Sequence, residues 1–187
     1  MSFTNLLVPT YVPMLTNLSA WLDKAKAQMP GDEAEALLSA RLADDMYPLA
    51  TQLRFACVQA LEAVHRLQGM PFPGRIGELV QQGRDAGERP GSIAEAQAVI
   101  AAAIAEVEAL DAGALDADPD SAIVHELPNG MVLDLTAQQY ARDWAIPQFY
   151  FHVMTAYAIL RHRGVEIGKA DYCAHVLPFL RPVPQDV

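Results

Sequence analysis

Between Asp143 and Arg161 the chain carries no charged side chain, and this uncharged run lies inside a segment whose two ends are both marked as helix ends. Thr136 followed three residues later by Gln139 has the spacing of a capping box, and Leu135 and Tyr140 are placed to pack across it as a hydrophobic staple. Arg161, His162 and Arg163 stand in the last turn, where cations meet the negative end of the helix dipole, and Gly164 supplies a left-handed stop. One helix is therefore predicted over 136–164. A helix apolar on nearly all sides is stable only when protein surrounds it, so the chain must build other elements around this one. Gln148 and His152 interrupt the run at i, i+4 spacing and project from one face, with Thr155 close by. Pro147, just before them, leaves the carbonyl of Asp143 without its usual helical partner.

A chain of 187 residues fits one domain, and at that size roughly 70% of the unfolded chain's surface is buried on folding. Hydrophobic residues at 52% and charged residues at 19% exclude a disordered chain. The net charge of −10 opposes phosphate backbones and anionic lipid, so nucleic-acid and membrane-surface functions are excluded from the expected classes. Cys57 and Cys173 have no metal-type spacing and read as reduced thiols, hence a cytoplasmic setting. The first residues lack the features of a signal peptide, and Pro147, Gln148 and His152 argue against a membrane span.

Residues 4–28 form the first helical pattern, with Leu15, Leu18, Leu22 and Ala25 on one stripe, and Pro9 and Pro13 predict a start near Pro13 or kinked first turns. After Pro30-Gly31, Asp32 and Glu35 have capping-box spacing and open a short helix to Leu42. Asp44 or Asp45 then caps a second long helix, Met46 to Gln68, with Pro48 in its first turn and Gln52 inside an otherwise apolar stripe. Residues 69–91, rich in glycine and proline, read as the longest irregular connection and a mobile surface loop, with a helical turn or two near 76–82. Ser92 and Glu95 cap an alanine-rich third long helix reaching about Leu110. A small hairpin, Ile123–Leu127 with Met131–Leu135, turns at Asn129-Gly130. The domain is expected over 1–172, followed by an extended tail, 173–187, with Pro178, Pro182 and Pro184.

Three groups of residues carry a family resemblance: Arg41-Leu42-Ala43-Asp44-Asp45-Met46-Tyr47-Pro48-Leu49 with Gln52; Phe149-Tyr150-Phe151-His152-Val153 with Thr155 to His162; and Gly164 to Lys169. With them the chain resembles the DinB/YfiT-like four-helix bundles, and within these a bacterial domain-of-unknown-function branch. The resemblance implies an all-α, DinB-like four-helix bundle with a long crossover connection and a small β-hairpin before the last helix. Members of that superfamily commonly hold a divalent metal on three histidines, one on the second helix and an HxxxH pair on the fourth. Matching the motifs places Gln148 and His152 on the pair and Gln52 on the helix-two position. His152, Gln148 and Gln52 would then form a degenerate metal site holding zinc or nickel weakly or not at all, because a neutral amide oxygen is a poor ligand beside imidazole.

The candidate pocket thus comprises Gln52, Gln148, His152 and Thr155. Asp45 is a possible pocket carboxylate that a capping role would equally explain. The plain alternative is a buried network in which the two amides and the imidazole satisfy one another. Tyr11, Tyr140, Trp144 and Tyr157 read as core aromatics, and His65, His125, His162 and His175 as incidental. The leading functional expectation is a cytoplasmic bundle protein binding a small molecule in a polar inter-helix pocket without a tightly bound metal. The alternatives are a metal-dependent thiol transferase or isomerase, which the resemblance suggests, and a non-catalytic homodimeric structural or interaction protein.

Overall fold

The structure, a computed structural model, describes residues 2–181. Helix α1 (Phe3–Gln28) opens where the Ser2 hydroxyl accepts the Asn5 N–H, and it runs through both Pro9 and Pro13 rather than starting at the second. A proline inside a helix costs about 3 kcal/mol. The same turns bury Phe3, Leu7, Tyr11 and Met14 almost completely, each contributing about 1.5–3 kcal/mol, so burial outweighs the two prolines.

The expected cap at the next element is absent. Asp32 makes no side-chain cap bond on α2 (Glu33–Ala36), which continues only as a 3-10 turn, Leu37–Ser39. Glu35 instead accepts the backbone N–H of Ile93 at 2.8 Å, across the molecule. Helix α3 (Leu49–Leu67) starts later than Met46, with Pro48 at its N-cap. The residue before a proline is pushed out of the helical region, which leaves Asp44 and Asp45 on an exposed turn with no capping role.

The connection after α3 is not an irregular loop. It holds helix α4 (Gly74–Asp85), which buries Ile76, Leu79 and Gly83 against α3. Thr51 donates its hydroxyl to the Gly83 carbonyl at 2.7 Å. Helix α5 (Ile93–Glu108) has the expected Ser92–Glu95 capping box. Strands β1 (Ala122–Glu126) and β2 (Val132–Thr136) pair antiparallel with Ile123 opposite Leu135. Only Gly130 in their turn has positive φ, at 84°. The loop is therefore the three-residue type, Pro128 to Gly130, closed by Gly130 N–H on the Leu127 carbonyl at 2.9 Å.

The last helical run has three parts: α6 (Ala137–Gln139) with its Thr136–Gln139 capping box, a π turn (Tyr140–Ala145), and α7 (Ile146–His162). The π turn answers the problem Pro147 poses. In it Ile146 N–H reaches back five residues to Ala141, and the wider turn resets the carbonyls that the proline ring would otherwise meet. At the far end Gly164 (φ 89°) forms a Schellman stop, with Val165 N–H on the Leu160 carbonyl and both side chains fully buried.

The four long helices close a ring in the order α1, α5, α3, α7 and back to α1. Residues 29–48 and 109–136 therefore cross the bundle diagonally, whereas α4 joins two neighbours. After Gly164 the chain packs onto α1 instead of extending: α8 (Lys169–Tyr172) and a 3-10 turn (Ala174–Phe179) follow one another. Asn17 donates to the Tyr172 carbonyl at 2.8 Å, and Trp21 donates to the Asp171 carbonyl and stacks on Tyr172. Pro182 and Pro184 lie outside the described residues.

Candidate functional site

Because α3 begins just after Pro48, Gln52 sits in its first turn, facing the middle of α7. The two helices run antiparallel, since Gln52 meets His152 while Arg66 meets Tyr140. Gln52 Oε1 lies 2.8 Å from His152 Nδ1, and Gln52 Nε2 donates to the Tyr47 carbonyl at 3.1 Å. The second bond fixes the amide's orientation and so assigns the first: Nδ1 carries the proton and donates, leaving the lone pair on Nε2. Phe55 and Phe151 both stand edge-on to the imidazole, at 5.4 Å between centroids. Burial pushes the His152 imidazole down to about 4, so it is neutral at pH 7.

The other expected members do not join this pair. Thr155 is buried but donates to Phe151 of its own helix at 2.7 Å. Gln148 is half-buried and hydrogen-bonded to neither Gln52 nor His152. Asp45 is exposed.

The donors do not fit a tightly held divalent ion. Two of the three positions offer neutral amides, the Gln52 oxygen is engaged by an imidazole N–H, and no group of three His, Cys, Asp or Glu among the described residues is placed to hold a metal. Cys57 offers no nucleophile beside them, because complete burial pushes its thiol up to about 12.

Behind Phe55 the structure opens a cleft of about 750 Å³ between α3, α4 and the hairpin, within the range of small-molecule sites. Phe55, Val58, Gln59, Glu62 and Arg66 line it from one face of α3, at helical spacing. Phe72 and Val80 form the opposite wall, and His125 and Trp144 close one end. Burial raises the Glu62 carboxyl while Arg66 pulls it down. Burial, with Arg66 adding to it, lowers His125 to about 4.

Trp144 and His125 read from the sequence as core and incidental; the hairpin register brings His125 against Trp144, at 4.7 Å between centroids. The α3 face was readable, since Glu62 and Arg66 stand at i, i+4 beside Phe55, Val58 and Gln59. Its opposite wall was hidden with α4.

Residues 3–173 match the model of a family described as a domain of unknown function, DUF1993. Among solved structures, the crystal structure of a DinB family member protein from Shewanella denitrificans is similar at 31% identity and a TM-score of 0.71, over 98% of this chain and 94% of that one. No curated protein matches.

Proposed function

The chain belongs to the DUF1993 family and has the DinB-like fold, and from that premise we propose that it is a small-molecule-binding protein whose ligand occupies the cleft between α3, α4 and the hairpin. The observation that carries this reading is the cleft itself: an open space of about 750 Å³ with aromatic and aliphatic walls and a few ionisable groups. The Gln52–His152 pair forms a hydrogen-bonded polar layer beneath Phe55, at the position that the resemblance assigns to the wider superfamily's metal. A tightly metal-dependent transferase or isomerase is disfavoured by the two amides at that place.

Gln59 lines the cleft and is only half-buried, so Gln59→Trp fills the space with little demand on the core. Fragments that bind the natural chain in ligand-observed NMR are expected to lose binding to Gln59→Trp. Hits that bind both proteins equally would remove the cleft from consideration. Zinc or nickel at near one ion per chain, retained without added metal and lost in His152→Ala, would restore the metal-dependent reading.

A further inference from the structure

Among the described residues six side-chain polar atoms are buried without a hydrogen-bond partner, and three of them, Arg66 Nε, His125 Nδ1 and Trp144 Nε1, belong to residues lining this one cleft. Buried polar groups in folded proteins are nearly always paired, so three unpartnered groups on residues around one space point to this end of the cleft as the place for a polar guest. Arg66 Nε and Trp144 Nε1 can only donate, so any partner they take must be an acceptor. His125 is 5% exposed.

Arg66 supplies the cation at this end. The Arg66 guanidinium lies 4.8 Å from the Phe72 ring centroid and 5.7 Å from that of Tyr140, and it donates to the Val124 carbonyl at 2.9 Å. Among the described residues it forms no ion pair with a carboxylate. Rings and a carbonyl solvate a guanidinium without neutralising it. Glu62, one turn away, also lines the cleft; burial raises its carboxyl and Arg66 lowers it, and the two form no ion pair. At the mouth Arg84 and Glu126 are both exposed and opposite in sign. Away from Arg66 the walls turn apolar, through Phe55, Val58 and Val80.

Resting on the reading of this cleft as a ligand site, we propose that its ligand is a small amphipathic carboxylic acid. The carboxylate is held by Arg66 and the Trp144 N–H beside His125, and the apolar part lies against Phe55, Val58 and Val80. A chain of net charge −10 repels anions at long range, so the preference must come from these local donors and survives physiological salt.

The test is a panel of aromatic and aliphatic monocarboxylates, each paired with its primary amide and its amine, titrated by calorimetry against the full chain. The acids are expected to bind at least about tenfold more tightly than their amides, a difference of about 1.4 kcal/mol. Arg66→Gln and Trp144→Phe should each erase that preference, the second removing the N–H together with part of the indole ring. Amides or amines that bind as well as the acids, and are blocked by Gln59→Trp, would overturn the acid assignment and leave the cleft as a ligand site. Acids that do not bind, or that bind Gln59→Trp unchanged, would also overturn it; the unchanged binding would remove the cleft as well.

Discussion

His152 is neutral because its surroundings refuse a proton, and that refusal is measurable as a pH dependence of stability. Free histidine titrates near 6.5, and in the fold this one is lowered to about 4 by burial. Above pH 6.5 both states are neutral and the group contributes no slope. As pH falls from about 6.5 to about 4 the unfolded chain takes up a proton that the folded chain does not, so stability is lost across that window, by about 3 kcal/mol in all. His125 acts in the same direction. His152→Gln keeps a donor for Gln52 but cannot titrate; urea midpoints between pH 7 and pH 4.5 should fall less in the variant than in the natural chain. Equal losses would assign the acid sensitivity elsewhere. At this scale the Gln52–His152 contact was readable, because Gln52 is a lone polar position on an apolar stripe and His152 is one of only a few polar residues in the uncharged run. The role given to Asp45 was not: it depended on where α3 starts, and Pro48 moves that start past it.

Among the elements, α4 was the least legible, and the reason is visible in its packing. Glycines at 74, 77 and 83 lower its apparent helix preference, yet Gly83 is required, since a Cβ there would stand 2.3 Å from the Phe55 ring. Phe55 has little freedom to yield, with Tyr47 at 5.8 Å and His152 at 5.4 Å, both edge-on. Gly83→Ala should therefore cost about 1–3 kcal/mol through overpacking. Phe55→Leu in the same chain should recover part of that loss, as read by thermal unfolding in a double-mutant cycle; strictly additive effects would show that the clash is not what matters. Capped helix starts such as Ser92–Glu95 and Thr136–Gln139 were legible because a cap is a local pattern. The π turn was not, because Pro147 announces only that a carbonyl needs a new arrangement, not which one.

For the whole molecule, the helix motifs and the hairpin position pointed to the bundle, and the DinB-like neighbour agrees with them. The ring order of the helices and the return of the C-terminal segment onto α1 depend on contacts between distant residues, which local patterns do not encode. No described helix is long and apolar enough to cross a membrane. Lys24 pairs with Asp171, and Asn17 and Trp21 bond the backbone of the same short helix. Ending the chain at Gly168 removes all three contacts and the Tyr172 stack. With the surface ion pair contributing little, the loss should be about 2–4 kcal/mol. Trp21, now 1% exposed, should then show red-shifted fluorescence at a temperature where the shortened chain is still helical by circular dichroism. Unchanged emission would mean that α1 is sealed without this segment.

The edge-on contact between Phe55 and His152 also gives the protein an internal reporter. Phe55 forms part of the cleft wall on one side and stands against the imidazole on the other, so a guest that presses on the phenyl ring and shifts it even slightly alters the magnetic shielding at the imidazole carbon protons without touching them. Of the chain's five histidines, the one sealed in the bundle would signal occupancy of a space it does not line.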